Sequence, residues 1–368
     1  MIRNLQLTIF ITLFGLVSAC QTIKPTPIVN QSNLHLKKLA VFSDQNTYKH
    51  KPQFAMNGTI AVAVAGSGLL FLDPKTGDES YKIPSSVTTR GINVSNNGLA
   101  LIVFSKSTEL WDLNKNKKIK EWFKSIKAAD TTLSENGQYA VVDEQLWDVA
   151  GKNLLGRVPL ADNAARTLIS PNNQFIVSIG MGSIVISKLA NLKDFKLLKI
   201  DSFALDAWYS PNSRNIIVSH GSQRDPISTM PIATNISIFE LNSANKIKEI
   251  KYPSQITSVA ISQITGDILI SSKNGSIDLL RNNDFSHIQK WQISNAISTS
   301  VADSQGRIWL ASSRGDIFLY NANTISRIDK LNSSIINILI SSKKSTFVAH
   351  VYDSSNPSNR GLEIYQIM

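Results

Sequence analysis

At 368 residues and 42% hydrophobic side chains, the chain can bury a large core, and its net charge is +11. The lack of a Lys/Arg block with interleaved aromatics argues against a nucleic-acid binder, and a single cysteine excludes a disulfide framework. The charge has two accounts: a Lys-, Asn-, Ile- and Ser-rich proteome, or a surface that meets acidic partners or anionic lipid.

Residues 1–19 read as an export signal. Arg3 supplies the positive start, and the apolar run from Leu5 to Leu16 is too short to be a good membrane span. Val17-Ser18-Ala19-Cys20 follows, with small residues where a peptidase must approach, and it resembles a bacterial lipobox. The resemblance implies that Cys20 is lipidated and begins the mature protein; the alternative is an ordinary signal peptide with an incidental cysteine. In lipoproteins of this kind an aspartate after the cysteine favours the inner membrane. In a Gram-negative host Gln21 therefore implies anchoring to the outer membrane; a periplasm-facing orientation is the expectation, though Gln21 does not fix the side. Residues 20–34 are expected to be a tether: Thr22 to Asn33 is polar and proline-bearing. Extended at about 3.1 Å per residue, it reaches roughly 40 Å.

Leu36 to Phe42 is a strand with no turn signal before it. Beyond it one unit recurs, written most fully from Thr132 to Val149. A short strand ends at Leu133, Glu135-Asn136-Gly137 makes a tight turn, and strands follow at Tyr139–Val142 and Leu146–Val149. Gly137 supplies the positive φ such a turn demands, and the β-branched and aromatic residues around it suit a half-buried sheet. Related turns occur at Gly58, Gly98, Ser170-Pro171-Asn172-Asn173, Ser210-Pro211-Asn212-Ser213, Gly266, Gly306 and, in degenerate form, Ser341 to Lys344. The step from Gly58 to Gly98 is 40 residues, from Gly98 to Gly137 39, and from Gly266 to Gly306 40. A period near 40 with several short strands per unit predicts an all-β fold, a β-propeller of four-stranded antiparallel blades spanning residues 35–368 as one domain. The units run 50–83, 90–122, 129–158, 165–200, 205–250, 256–291, 297–331 and 336–368, which makes eight blades, or seven if a terminal unit is only a closing fragment. The last unit has three strands, so the N-terminal strand is expected to supply the fourth and close the ring.

Leu110-Trp111-Asp112-Leu113 and Leu146-Trp147-Asp148-Val149, with the two Ser-Pro-Asn turns, resemble the WD-repeat family over nearly all of residues 50–368. No Gly-His dipeptide occurs, so that family's His-to-Asp network is missing. Leu72-Asp73-Pro74-Lys75-Thr76-Gly77 with Tyr81 instead resembles the quinoprotein-type repeat, which is found in the propeller lipoprotein of the outer-membrane β-barrel assembly machinery.

The five histidines show no metal-ligand spacing, and no cofactor motif is present. Gly180-Met181-Gly182 and Ala65-Gly66-Ser67-Gly68 are hairpin glycines rather than phosphate loops. The expectation is a non-enzymatic, lipid-anchored scaffold that binds other envelope proteins. The alternative is an envelope hydrolase or small-ligand binder that uses the central channel. Two places could carry partner binding. The first is the surplus loop Gly221 to Asn235, with Ile227, Met230 and Ile232; a second long link, Asp353 to Gly361, should share its face. The other is a ring of residues opening each innermost strand: Lys51, Gly91, Asp130, Arg166, Asp206, Ser258, Ser298 and Asn337. None is apolar, as a water-filled mouth requires. Arg166 is placed to bridge Asp130 and Asp206, with Trp208 beside the ring.

Overall fold

The computed structural model describes residues 28, 34–43, 52–55, 58–64, 68–85, 87–122, 131–150, 152–341, 345–352 and 360–368. Cys20, His50, Lys51, Asp130 and most of the Asp353 to Gly361 link lie outside them. Thirty strands and no helix occur among the described residues. β1 (Leu36–Ser43) comes first. One sheet holds β2 (Gln53–Phe54), β3 (Ile60–Val64), β4 (Gly68–Leu72) and β5 (Glu79–Ile83). The second holds β6 (Thr89–Val94), β7 (Leu99–Phe104), β8 (Thr108–Asp112) and β9 (Lys117–Trp122). The third holds β10 (Thr132–Leu133), β11 (Tyr139–Val142), β12 (Gln145–Asp148) and β13 (Asn153–Arg157). The fourth has six strands: β14 (Arg166–Ile169), β15 (Phe175–Lys188), β16 (Asn191–Tyr209), β17 (Asn215–Gly221), β18 (Asn235–Glu240) and β19 (Lys246–Lys251). The fifth comprises β20 (Ile256–Ile261), β21 (Ile268–Ser272), β22 (Ser276–Leu280) and β23 (His287–Gln292). The sixth comprises β24 (Ile297–Ala302), β25 (Ile308–Ser312), β26 (Asp316–Asn321) and β27 (Thr324–Lys330). In the seventh, β28 (Ser334–Ser341), β29 (Thr346–Tyr352) and β30 (Arg360–Ile367) are joined by β1, in the order β1-β30-β29-β28.

This is a β-propeller, and β1 closes it. Leu36 pairs with Ile367 and Ser43 with Gly361, as the three-stranded last unit predicts. β2, β6, β10, β14, β20, β24 and β28, with the second half of β16, lie nearest the axis, and β28 meets β2 across the closure. The separate sheets number seven, the lower of the two counts, because the fourth and fifth repeat units share the six-stranded sheet. Residues 183–188 of β15 face the first half of β16, and the second half of β16, 203–209, faces β17. No turn interrupts β16, so one strand serves both units.

The middle strands carry the core. β3, β4, β21, β22 and β25 are buried at every position, which is why they read as continuous apolar runs rather than alternating ones. Each fully buried Val, Ile, Leu or Phe contributes roughly 1.5–3 kcal/mol relative to exposure. Eight apolar clusters fill the gaps around the ring. One of them lies inside the six-stranded sheet, where Val177 and Ile184 of β15 meet Val218 of β17 and Phe239 of β18.

The recurring turn is a hydroxyl-centred device. The buried Ser95, Ser134, Ser170 and Ser210 each donate to the Asn two residues on, at 2.6–2.9 Å. Each hydroxyl also accepts the N–H that opens the next strand, that of Leu99, Tyr139, Phe175 or Asn215. Gly137 closes its turn with φ +71°. In the sixth sheet Asp303 takes the serine's place, accepting from the backbone of Gln305 and Arg307 and from the Arg307 and Trp309 side chains. The aspartates of the two Trp-Asp pairs cap the outer hairpins: Asp112 accepts from the backbone of Asn114 and Lys115, and Asp148 from that of Ala150. Those bonds give these acids a role that does not need the histidine of WD repeats.

Candidate functional site

Five innermost segments carry a β-bulge at one equivalent place, between Thr89 and Gly91, Ala204 and Asp206, Ile256 and Ser258, Ile297 and Thr299, and Ile335 and Asn337. A bulge re-aims the side chains beside it, so it sets the ring of residues at the mouth. Gly91, Asp206, Ser258 and Asn337 occupy the position just after it, as the sequence alignment placed them. Ser298 does not: it is the bulged residue itself, and Thr299 is the equivalent of Ser258. The Ser298 hydroxyl donates to the carbonyls of Ala311 and Ile335, tying its strand to the next.

Arg166 opens β14 and is paired through its guanidinium with the Asp206 carboxylate on the neighbouring inner strand. Both side chains are about two-fifths exposed, so the pair contributes on the order of 1 kcal/mol or less. Asp206 also accepts the N–H of Ala207, which holds its carboxylate on the ring.

Behind this mouth lies an axial cavity of about 390 Å³. Leu133, Leu168, Trp208, Val259 and Val301 line it, with Arg166 and Glu135 as its charged members. Trp208 is half-buried there and packs against the core cluster of Ile217, Ile256 and Val259. Partial desolvation raises the Glu135 carboxyl above the usual carboxylate range, although the residue still reaches solvent. Among the described residues no group of three His, Cys, Asp or Glu is placed to hold a metal ion.

The Gly221 to Asn235 loop leaves from the same face and is built as a hairpin. Arg224 bridges to Pro231 and donates to the carbonyl of Thr229 at 3.0 Å. Its guanidinium lies 4.9 Å from the Phe203 ring, at the start of the inner segment of β16. Asp225 accepts from the backbone of Ile227 and Ser228 and from the Ser228 hydroxyl; these bonds, the Ser228 N–H foremost, hold its carboxyl below the usual range. That scaffolding presents Ile227, 93% exposed, and Met230, 65% exposed, at the tip. Ile232 differs from the expectation. It is half-buried, with its N–H on the Gln223 carbonyl, because the chain there is already returning to the core at Ala233.

One polar cluster has no signal in the sequence. His220 is buried, with Ser202 Oγ 2.8 Å from Nδ1 and Ser237 Oγ 2.8 Å from Nε2. Burial lowers its pKa and keeps the ring neutral. Hydroxyls occupy both nitrogens, so no carboxylate bonds to the ring to orient it as a base.

No protein-family model matches the chain, and no curated protein matches it. The fold has structural counterparts. The computationally designed Ika8 protein superposes with a TM-score of 0.68 at 11% identity, over 90% of this chain and 99% of that one. Dihydro-heme d1 dehydrogenase NirN in complex with DHE superposes at 0.61 with 14% identity, over 86% of this chain and 75% of that one. At such identities the likeness is one of fold alone.

Proposed function

We infer that this is a lipid-anchored protein of the bacterial envelope, tethered through Cys20, whose propeller is a non-enzymatic scaffold for other envelope proteins. The observation that carries the scaffold reading is the Gly221 to Asn235 hairpin. Its bonds fix a shape and then leave Ile227 and Met230 in water, at a net cost unless a partner covers them. The Arg166–Asp206 pair and Trp208 form the adjoining polar mouth on the same face. The anchor reading rests on Val17-Ser18-Ala19-Cys20 and Gln21 alone.

The test is crosslinking and pulldown from intact envelopes with wild type and an Ile227→Asp, Met230→Asp double variant. Both side chains are solvated, so melting should be unchanged while a crosslinked protein is lost. An unchanged crosslinking pattern would refute the role of the hairpin. The cavity around Trp208, where apolar side chains meet Asn93, Arg166 and Gln263, favours a second reading, a small ligand bound on the axis, and tryptophan fluorescence quenched by envelope extracts of low molecular mass would support it.

A further inference from the structure

The net charge is not spread over the molecule. The outermost strand segments, namely β1, β5, β9, β13, residues 191–201 of β16, β19, β23 and β27, hold 16 Lys and Arg against six Asp and Glu. The rim therefore carries ten of the chain's eleven net positive charges. The same segments bear most of the exposed large apolar side chains, including Leu154, Leu155, Phe195, Leu197 and Ile247.

The two features coincide most closely on one arc. Residues 191–201 of β16 form an outer edge of 11 residues, about 35 Å long. Lys193, Phe195, Leu197 and Lys199 alternate along it and are all exposed. β19 lies beside it with Lys246, Lys248 and Lys251 around an exposed Ile247. Lys188 pairs with Asp194 and Lys246 with Glu249. Lys193, Lys196, Lys199, Lys248 and Lys251 form no salt bridge among the described residues. A cleft of about 530 Å³ opens between the two strands, lined by Leu197, Lys199, His220 and Lys246.

We propose that this arc docks on an anionic phospholipid bilayer, with unpaired lysines on the headgroups and Phe195, Leu197 and Ile247 in the interface. Lysine on an edge strand also blocks unwanted strand pairing, but that role needs neither a net-positive rim nor exposed Phe195 and Leu197 between the lysines. An arc on a convex rim, with charges spread rather than convergent, suits a field of fluid headgroups better than one fixed acidic partner. Basic residues with interleaved apolar ones are the composition of a membrane-surface contact. The N-terminus agrees: Ile28, inside the expected tether, packs against the core cluster containing Trp291 and Ile297, next along the ring from β19. Ile28 is then eight residue steps from Cys20, a reach of about 25 Å rather than 40 Å. That last point rests on the anchor reading; the charge distribution does not.

The test uses residues 28–368, which contain every described strand and no acyl site, so its outcome is separate from that of the anchor. Flotation with vesicles of phosphatidylglycerol and phosphatidylethanolamine should capture the protein, and vesicles of phosphatidylcholine should not. Lys193→Gln, Lys196→Gln and Lys199→Gln together should weaken binding by on the order of 100-fold, at about fivefold per lysine. Phe195→Ser with Leu197→Ser, both at exposed positions, should remove the binding that survives high salt. Either of two results overturns the proposal: unchanged affinity in the lysine variant, or binding to polyphosphate as tight as to the vesicles with no effect of the Phe195 and Leu197 changes. The second would mean a general polyanion surface.

Discussion

His350 makes the fold's acid sensitivity a quantity that can be worked out. It sits on β29, paired in register with Asn337 and Leu362, and is almost wholly buried, with Nδ1 lacking a hydrogen-bond partner. Burial, with the Arg360 charge adding to it, pushes its pKa down from 6.5 to about 4. The unfolded chain therefore takes up a proton first as the pH falls. Stability is at its full value above about pH 6.5 and declines from there toward pH 4, by about 1.4 kcal/mol per pH unit, to a total of about 3 kcal/mol. His220, whose pKa is lowered mainly by burial, adds a loss of the same sign. In His350→Leu the titration and the unpaired nitrogen both disappear. Urea unfolding followed by circular dichroism should give similar midpoints for the two proteins at pH 7.5, and at pH 4.5 the variant should be the more stable by about 2–3 kcal/mol. Parallel midpoint-against-pH curves would show that His350 is not held neutral by its surroundings.

Two further outcomes are expected. Cys20→Ala should leave a full-length precursor or a soluble form, since acyl chains are what make anchoring stable; its recovery in the outer-membrane fraction after a salt wash would overturn the lipobox reading. Arg166→Glu should set an acid beside Asp206 and lower the melting temperature only slightly, as a half-exposed pair implies, while abolishing capture of a partner that uses the mouth; unchanged capture would leave the pair a structural role only.

The repeat was legible because its device is local. A serine, an asparagine two residues on and a positive-φ residue after it (Gly98, Gly137, Asn173 or Ser213) make the turn together, so it is written out in the order it is built. The strand after it follows from the buried apolar run, and β1 from a three-stranded last unit. What depends on register was harder to read. Asp303 stands where the turn serine should be, so the aligned position slipped by one, and in a strand one residue reverses the side chain's face. That is why Ser298 replaced Thr299 in the ring. The merged sheet had no signal either, because no glycine or proline interrupts 191–209 to mark where one unit ends. In the hairpin loop, apolar character alone could not separate Ile227 and Met230, which are solvated, from Ile232, whose backbone is already paired.

The rim shows how a surface can be present in a sequence and yet invisible there. Its basic residues arrive one to three at a time, in outer strands about 40 residues apart, so the excess is spread thinly along the chain. Only stacking the repeats in a ring brings the last strand of each unit onto one circumference, where small local excesses add. The inner strands show the opposite logic. Their charges are few among the described residues, and Arg166 pairs with Asp206 at the mouth. A propeller built this way separates charge by radius: few charges around the axis and a net positive excess around the edge. If the edge lies on a bilayer, the axis runs parallel to the membrane plane, and the face with Ile227 and Met230 looks sideways along the surface. Envelope proteins embedded in that same membrane could then reach it without crossing the periplasm.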